Sequence, residues 1–178
     1  EIKKNSIIGI CGPSGGGKTT FINILLGFNK PKSGGVYVDN QDIYANPKSW
    51  QNLIGYVPQD IFLLNESIKN NILFGLDESK VDIKKFNRLL KECNLENFLI
   101  KSENGLNTVI GERAAKISGG QAQRICIARA LINDSKILIL DEATSKLDQK
   151  NEEEILENLT ENFKSKLTII IVSHRKNM

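Results

Sequence analysis

Eight consecutive residues near the start of the chain, Gly12-Pro13-Ser14-Gly15-Gly16-Gly17-Lys18-Thr19, have the types and spacing of a phosphate cradle. Glycines let backbone N–H groups curl around phosphate oxygens, and a helix starting at the end of such a loop adds the positive end of its dipole. In the pattern G-x-x-x-x-G-K-[ST] each fixed position has a task. Lys18 reaches the β- and γ-phosphates of a nucleoside triphosphate, and the Thr19 hydroxyl binds Mg2+. Thr20, the next residue of the helix, completes the set expected against the nucleotide.

Two further groups extend this chemistry. Asp141 and Glu142 end an apolar run. Adjacent carboxylates divide naturally into one committed to the metal and one kept as a base for the attacking water. Alone, such a pair is equally a helix cap at a strand end; downstream of a phosphate cradle the catalytic reading prevails. Ile117-Ser118-Gly119-Gly120-Gln121 precedes a segment with Ile125, Ala128, Leu131 and Ile132 on one face, a second helix N-terminus suited to an anion. Two cradles in one chain leave two arrangements open: both close on one nucleotide, or each serves a nucleotide held by another copy.

The elements that must position these groups are legible from periodicity. Ile7 to Cys11 is a short apolar run breaking into the glycine cluster, and Phe21, Ile22, Leu25 and Leu26 follow at helical spacing up to Gly27, which reads as strand, loop, helix. Val36 to Val38 and Ile54 to Val57 read as strands, the first turning at Asp39 and Asn40. From Ile61 to Ile132 the pattern is helical. Ile137 to Leu140 and Leu167 to Val172 are unbroken apolar runs of the kind expected for parallel strands covered on both faces. Glu152 to Phe163 is read as the crossover helix between them. The polar candidates fall where strands end, and in an open α/β sheet ligands bind at those carboxyl ends.

Composition narrows the classes. The 178 residues, 40% hydrophobic, are enough for one substantial core. Twenty-four Lys and Arg against 21 Asp and Glu leave a formal charge of +3, without a clustered basic stripe, so no nucleic-acid surface is expected. Cys11, Cys93 and Cys126 have no metal-ligand or disulfide spacing and are expected as packed core thiols. There is no run of 18 apolar residues. The start at Glu1 rather than Met is read as the cut end of a longer polypeptide.

The phosphate cradle, ISGGQAQR and LILDEAT, in that order, resemble the nucleotide-binding domain of ABC ATPases; ISGGQ differs from the usual LSGGQ only by Leu to Ile. The resemblance covers essentially the whole chain. It implies an α/β fold: a RecA-like P-loop core with a parallel-sheet centre over residues 1–60 and 133–178, interrupted over 61–132 by a helical subdomain carrying the signature. It implies ATP and Mg2+ as cofactors, with Thr19, Gln59 and Asp141 toward the metal. Glu142 becomes the base, with Gln59 linking the metal or the attacking water to the transport domain and His174 contacting the γ-phosphate. Ser145-Lys146-Leu147-Asp148 becomes the D-loop, with Asp148 acting across a dimer. In that dimer two domains pair head to tail, so that Ser118, Gly119, Gly120 and Gln121 of one copy cover the nucleotide on Lys18 of the other.

Thr108-Val109-Ile110-Gly111-Glu112-Arg113 is similar to the T-x-V-G-E-x-G element of exporters, with Ile110 for Val and Ala114 for the final Gly. Gln59 to Leu64, followed by Ser67-Ile68 and Asn71-Ile72, also looks like exporter sequence. The implied partners are a transmembrane domain and a second nucleotide-binding domain, the isolated chain being monomeric. The implied place is the cytoplasmic face of a bacterial inner membrane. The family's adenine-stacking aromatic lies well upstream of the P-loop, whereas eleven residues precede Gly12 here. The alternatives are a soluble ABC ATPase acting in nucleic-acid repair or translation, and a nucleotide-binding module without hydrolysis.

Overall fold

The computed structural model describes residues 1–145 and 147–173, and of Arg113 the backbone alone. Strand β1 (Ile7–Cys11) leads into helix α1 (Lys18–Leu25). A hairpin of β2 (Tyr37–Val38) and β3 (Gln41–Asp42) and the short helix α2 (Pro47–Gln51) precede β4 (Ile54–Val57). Helices α3 (Ile68–Ile72), α4 (Ile83–Glu92), α5 (Glu96–Lys101) and α6 (Gly119–Leu131) follow, then β5 (Ile137–Asp141), α7 (Gln149–Phe163) and β6 (Thr168–Ser173). In the hairpin Asp39 and Asn40 both take positive φ, 48° and 66°, the handedness a two-residue turn between twisted strands requires.

Four strands form one parallel sheet in the order β1, β6, β5, β4. The unbroken apolar runs now separate by face. Ile169 and Ile171 of β6, with Leu138 and Leu140 of β5, join the larger core. Ile170 and Val172, with Ile139, pack on Ile22, Leu25 and Leu26 at α1. Every residue of β6 is buried, so both faces of the strand are covered by helices. Each Ile or Leu so enclosed contributes about 1.5–3 kcal/mol by transfer from water.

The larger core carries the helical segment with it. Ile68, Ile72, Phe86, Leu89, Leu90, Ile125, Ala128 and Leu131 belong to the same cluster as the sheet residues, together with Ile155, Leu159 and Phe163 of α7. β4 and α6 approach closely: a Cβ on Gly55 would lie 2.4 Å from the Ala130 carbonyl oxygen. Only glycine lets the strand leading to Gln59 and the helix beginning after Ser118 touch backbone to backbone. The other end of α1 is held by Trp50, whose Nε1–H donates to Leu25 O at 2.6 Å.

The cysteines depart in part from expectation. Cys93 and Cys126 are packed in the core, and burial pushes the Cys126 thiol up to about 11. Cys11, the last residue of β1, is exposed. Among the described residues no helix is long and apolar enough to cross a membrane.

Candidate active site

The loop from Gly12 to Gly17 connects β1 to α1, as the strand–loop–helix reading requires. Gly15 and Gly17 take φ of 74° and 84°, where an L side chain is strained. No side chain caps α1, so its first-turn N–H groups are presented where an anion would sit. Gly16 N–H donates to Pro13 O at 3.1 Å and tightens the loop. The Lys18 side chain is folded back over this loop: Nζ donates to Gly12 O at 3.0 Å and Pro13 O at 2.9 Å. Thr19 and Thr20 follow on the same first turn.

Asp141 and Glu142 stand at the carboxyl end of β5, two strands away from β1. Asp141 is buried, and Oδ2 accepts the Tyr56 hydroxyl at 3.1 Å. Burial, then the Asp141 charge and this hydrogen bond, push the Tyr56 phenol up to about 12, so it remains a proton donor to the carboxylate. Glu142 holds the left-handed conformation, φ 50°, with its N–H on Val172 O at 3.0 Å and its carbonyl accepting Ser145 N–H at 3.0 Å. A non-glycine residue in this region stores about 1–3 kcal/mol of strain, a feature found at functional sites.

The Glu142 carboxylate lies between the other two candidates. Oε1 is 3.5 Å from Lys18 Nζ, the two side chains being 10% and 8% exposed, and Oε2 accepts Gln59 Nε2–H at 3.0 Å. Four elements, the P-loop helix, β5, the segment after β4 and β4 itself, thus bring Lys18, Asp141, Glu142, Gln59 and Tyr56 together. The oxygen donors here, the Thr19 hydroxyl, the Gln59 amide and a nearly buried Asp141 carboxylate steadied by Tyr56, are of the hard type Mg2+ prefers. The glycine-lined loop and the uncapped α1 fit a triphosphate by the same test. His174 lies outside the described residues, directly after the end of β6.

The second cradle is built differently. Ser118 caps α6 in a full capping box: its Oγ accepts Gln121 N–H at 3.2 Å, and its own N–H donates to Gln121 Oε1 at 2.8 Å. Gly119 and Gly120 abut the start of α7, where an added Cβ would lie 3.1 Å from Leu147 Cδ2 and 3.2 Å from Asn151 Oδ1 respectively. Asp148 caps α7 through Asn151, and the hydrogen bonds from Asn151 hold its carboxyl below the usual range. Signature and D-loop residues therefore share one surface, while Lys146 lies outside the described residues.

The two exporter-like segments also meet. Ser67 pairs with Val109; Ile68 N–H donates to Thr108 O at 3.0 Å, and Ile110 N–H to Glu66 O at 3.2 Å. Sequence reasoning missed Tyr56, whose facing Asp141 depends on the β4–β5 register. It also missed the buried pair in which the Thr144 hydroxyl donates to Glu152 Oε1 at 2.7 Å.

The ABC transporter family profile matches residues 1–145. This chain belongs to the ABC transporter family. It is 44% identical over 176 residues to a Rickettsia felis protein described as an export ATP-binding/permease protein, covering 98% of this chain and 30% of that one. It is 43% identical to the leukotoxin translocation ATP-binding protein LktB of Mannheimia glucosida, covering 98% of this chain and 24% of that one. The solved structure of a bacterial Atm1-family ABC exporter with ATP bound superposes with a TM-score of 0.84 at 35% identity, over 98% of this chain and 30% of that one. The chain thus spans less than a third of these relatives, and as the ATP-binding domain of an ABC protein, on a P-loop fold, it is an ATPase.

Proposed function

We propose that this domain binds and hydrolyses ATP to drive export or flipping of a substrate across a membrane, within a larger ABC exporter. The observation that carries the reading is the convergence of Lys18, Gln59, Asp141 and Glu142, with both Glu142 oxygens engaged by two of the others. ATP-binding and export relatives at 43–44% identity support the same assignment.

Lys18 leaves the Gly12 and Pro13 carbonyls for the β- and γ-phosphates, and its release frees Glu142 to take a proton from the attacking water. Gln59, already on Glu142, orients that water and links the site to the transport domain. Thr19, Gln59 and Asp141 would hold Mg2+, which when bound would neutralise charge on the phosphate oxygens. Gly12 to Gly17 and Thr20 enclose the phosphates, and His174 contacts the γ-phosphate. Ser118 to Gln121 and Asp148 act on the nucleotide of a second, head-to-tail copy.

The partners proposed are that second domain and a transmembrane domain, at the cytoplasmic face of a bacterial inner membrane. The division proposed is a RecA-like core of residues 1–60 and 133–178 with a helical subdomain of 61–132. The test is Glu142→Gln in the full polypeptide carrying this domain. ATP binding is retained while turnover falls about 10²- to 10⁴-fold, the usual loss for a general base. Hydrolysis at the wild-type rate would place the base elsewhere.

A further inference from the structure

Arg129, on the last turns of α6, makes three hydrogen bonds with one guanidinium: Nη1–H to Phe62 O at 2.7 Å, Nε–H to Asn71 O at 2.7 Å and Nη2–H to Asn71 Oδ1 at 2.8 Å. Asn71 is fully buried, and the rest of its amide is spent on the same loop. Its Oδ1 also accepts Leu64 N–H at 2.9 Å, and its Nδ2 donates to the carbonyls of Leu64 and Ser67, both at 3.1 Å, and of Glu66 at 3.4 Å. The guanidinium also stands over the Phe74 ring, 5.5 Å from its centroid. Backbone from Phe62 to Ser67, which begins three residues after Gln59, is thereby tied through two side chains to the helix that Ser118 caps.

The fork geometry matters here. A planar guanidinium holds two carbonyls and an amide oxygen in one rigid fork, spread over Nε, Nη1 and Nη2, a spacing that the three rotatable donors of a compact ammonium do not reproduce. All three acceptors are backbone or amide oxygens, so the contact fixes chain geometry rather than balancing a carboxylate charge. The backbone contact of Gly55 with Ala130 lies one residue away on the same helix, so the segment before Gln59 and the segment after it are both held to α6.

We propose that Arg129 is a positioning residue that locks the Gln59 loop to the signature helix, so that the two shift together as one body. Resting on the reading of this domain as the ATP-binding part of an ABC exporter, the lock joins two nucleotide sites: Gln59 serves the nucleotide on its own P-loop, and Ser118 serves the one held by the partner. Its loss leaves nucleotide binding intact and misaligns the hydrolytic groups at both sites.

The test compares wild type, Arg129→Ala and Arg129→Lys in the full polypeptide in lipid nanodiscs, below the melting temperature of each. The expected result is an ATP affinity within about twofold of wild type and a kcat about ten- to a hundredfold lower, the scale of an ångström-level misplacement. Lysine restores much of the melting temperature and little of the kcat. If kcat recovers with the melting temperature in Arg129→Lys, or ATP affinity falls in step with kcat, the lock is overturned. Should Arg129→Ala fail to fold, Arg129→Lys decides. A wild-type polypeptide without ATPase activity would strike the exporter reading instead. The lock would then be judged by amide exchange in Arg129→Lys: faster exchange in both 62–67 and 119–131 supports it, and in one or neither overturns it.

Discussion

The two glycine-bearing helix starts, α1 and α6, look alike as sequence and differ as structure. At α1 no side chain caps the helix, two loop glycines stand at positive φ, and Lys18 and Glu142 are nearly buried beside it. At α6 the capping box satisfies Ser118 and Gln121 within the chain before any ligand arrives. An uncapped start surrounded by charge is organised to bind an anion unaided. A capped start is stable alone and offers its remaining donors to something brought up from outside, such as a nucleotide on another copy.

Substitution at the two starts should therefore have unequal effects. Lys18→Ala should abolish tight ATP binding by this domain, a loss of roughly a hundredfold or more, since the lysine is the mobile charge meant for the phosphates. Isothermal calorimetry reads it directly, and unchanged affinity would remove the P-loop from the account. Ser118→Ala should leave that affinity unaltered while lowering stability by about 1 kcal/mol, the usual cost of a lost N-cap. Chemical denaturation of the same sample checks the second half; a large fall in ATP affinity of a single domain would erase the contrast between the starts.

The smallest expected effect concerns Tyr56. Its phenol is raised from 10.0 to about 12 in the folded protein, so the unfolded chain ionises first. Any stability tied to the neutral phenol is complete below pH 10 and is lost as pH rises from 10 toward about 12. Thermal melts across that range should show a decline that Tyr56→Phe reduces. An identical decline in both proteins would mean that the hydroxyl's contact with Asp141 is not felt in stability.

What was legible in the chain depended on how local the cause was. Strands such as Ile54–Val57 and Ile7–Cys11 were read at their observed bounds because an apolar run ending in proline or glycine is a local signal. The P-loop and the Asp141-Glu142 pair were legible for the same reason. The roles of Tyr56 and Arg129 were not, since Tyr56 meets Asp141 only through strand register and Arg129 meets Phe62 and Asn71 across 67 and 58 positions of chain. The exposure of Cys11 depends on what covers the end of its strand, which the apolar run from Ile7 does not encode. The capping box was written plainly in Ser118 and Gln121, yet the spacing equally suited a ligand site.

The strand order has a consequence for how the molecule is made. β6, the last strand described, lies between β1 and β5, and Ile7 finds its register partner at Ile169. A ribosome delivers the P-loop strand first and must translate some 160 residues before the strand that seats it emerges. Until then β1 has neither of its covering layers secured, and the phosphate loop has no fixed distance to Asp141 and Glu142. Such long-range parallel pairing is intrinsically slow and leaves unpaired edges open to wrong partners. The nascent domain should therefore acquire nucleotide binding late and abruptly, with release of β6 from the exit tunnel, rather than gradually as its motifs appear.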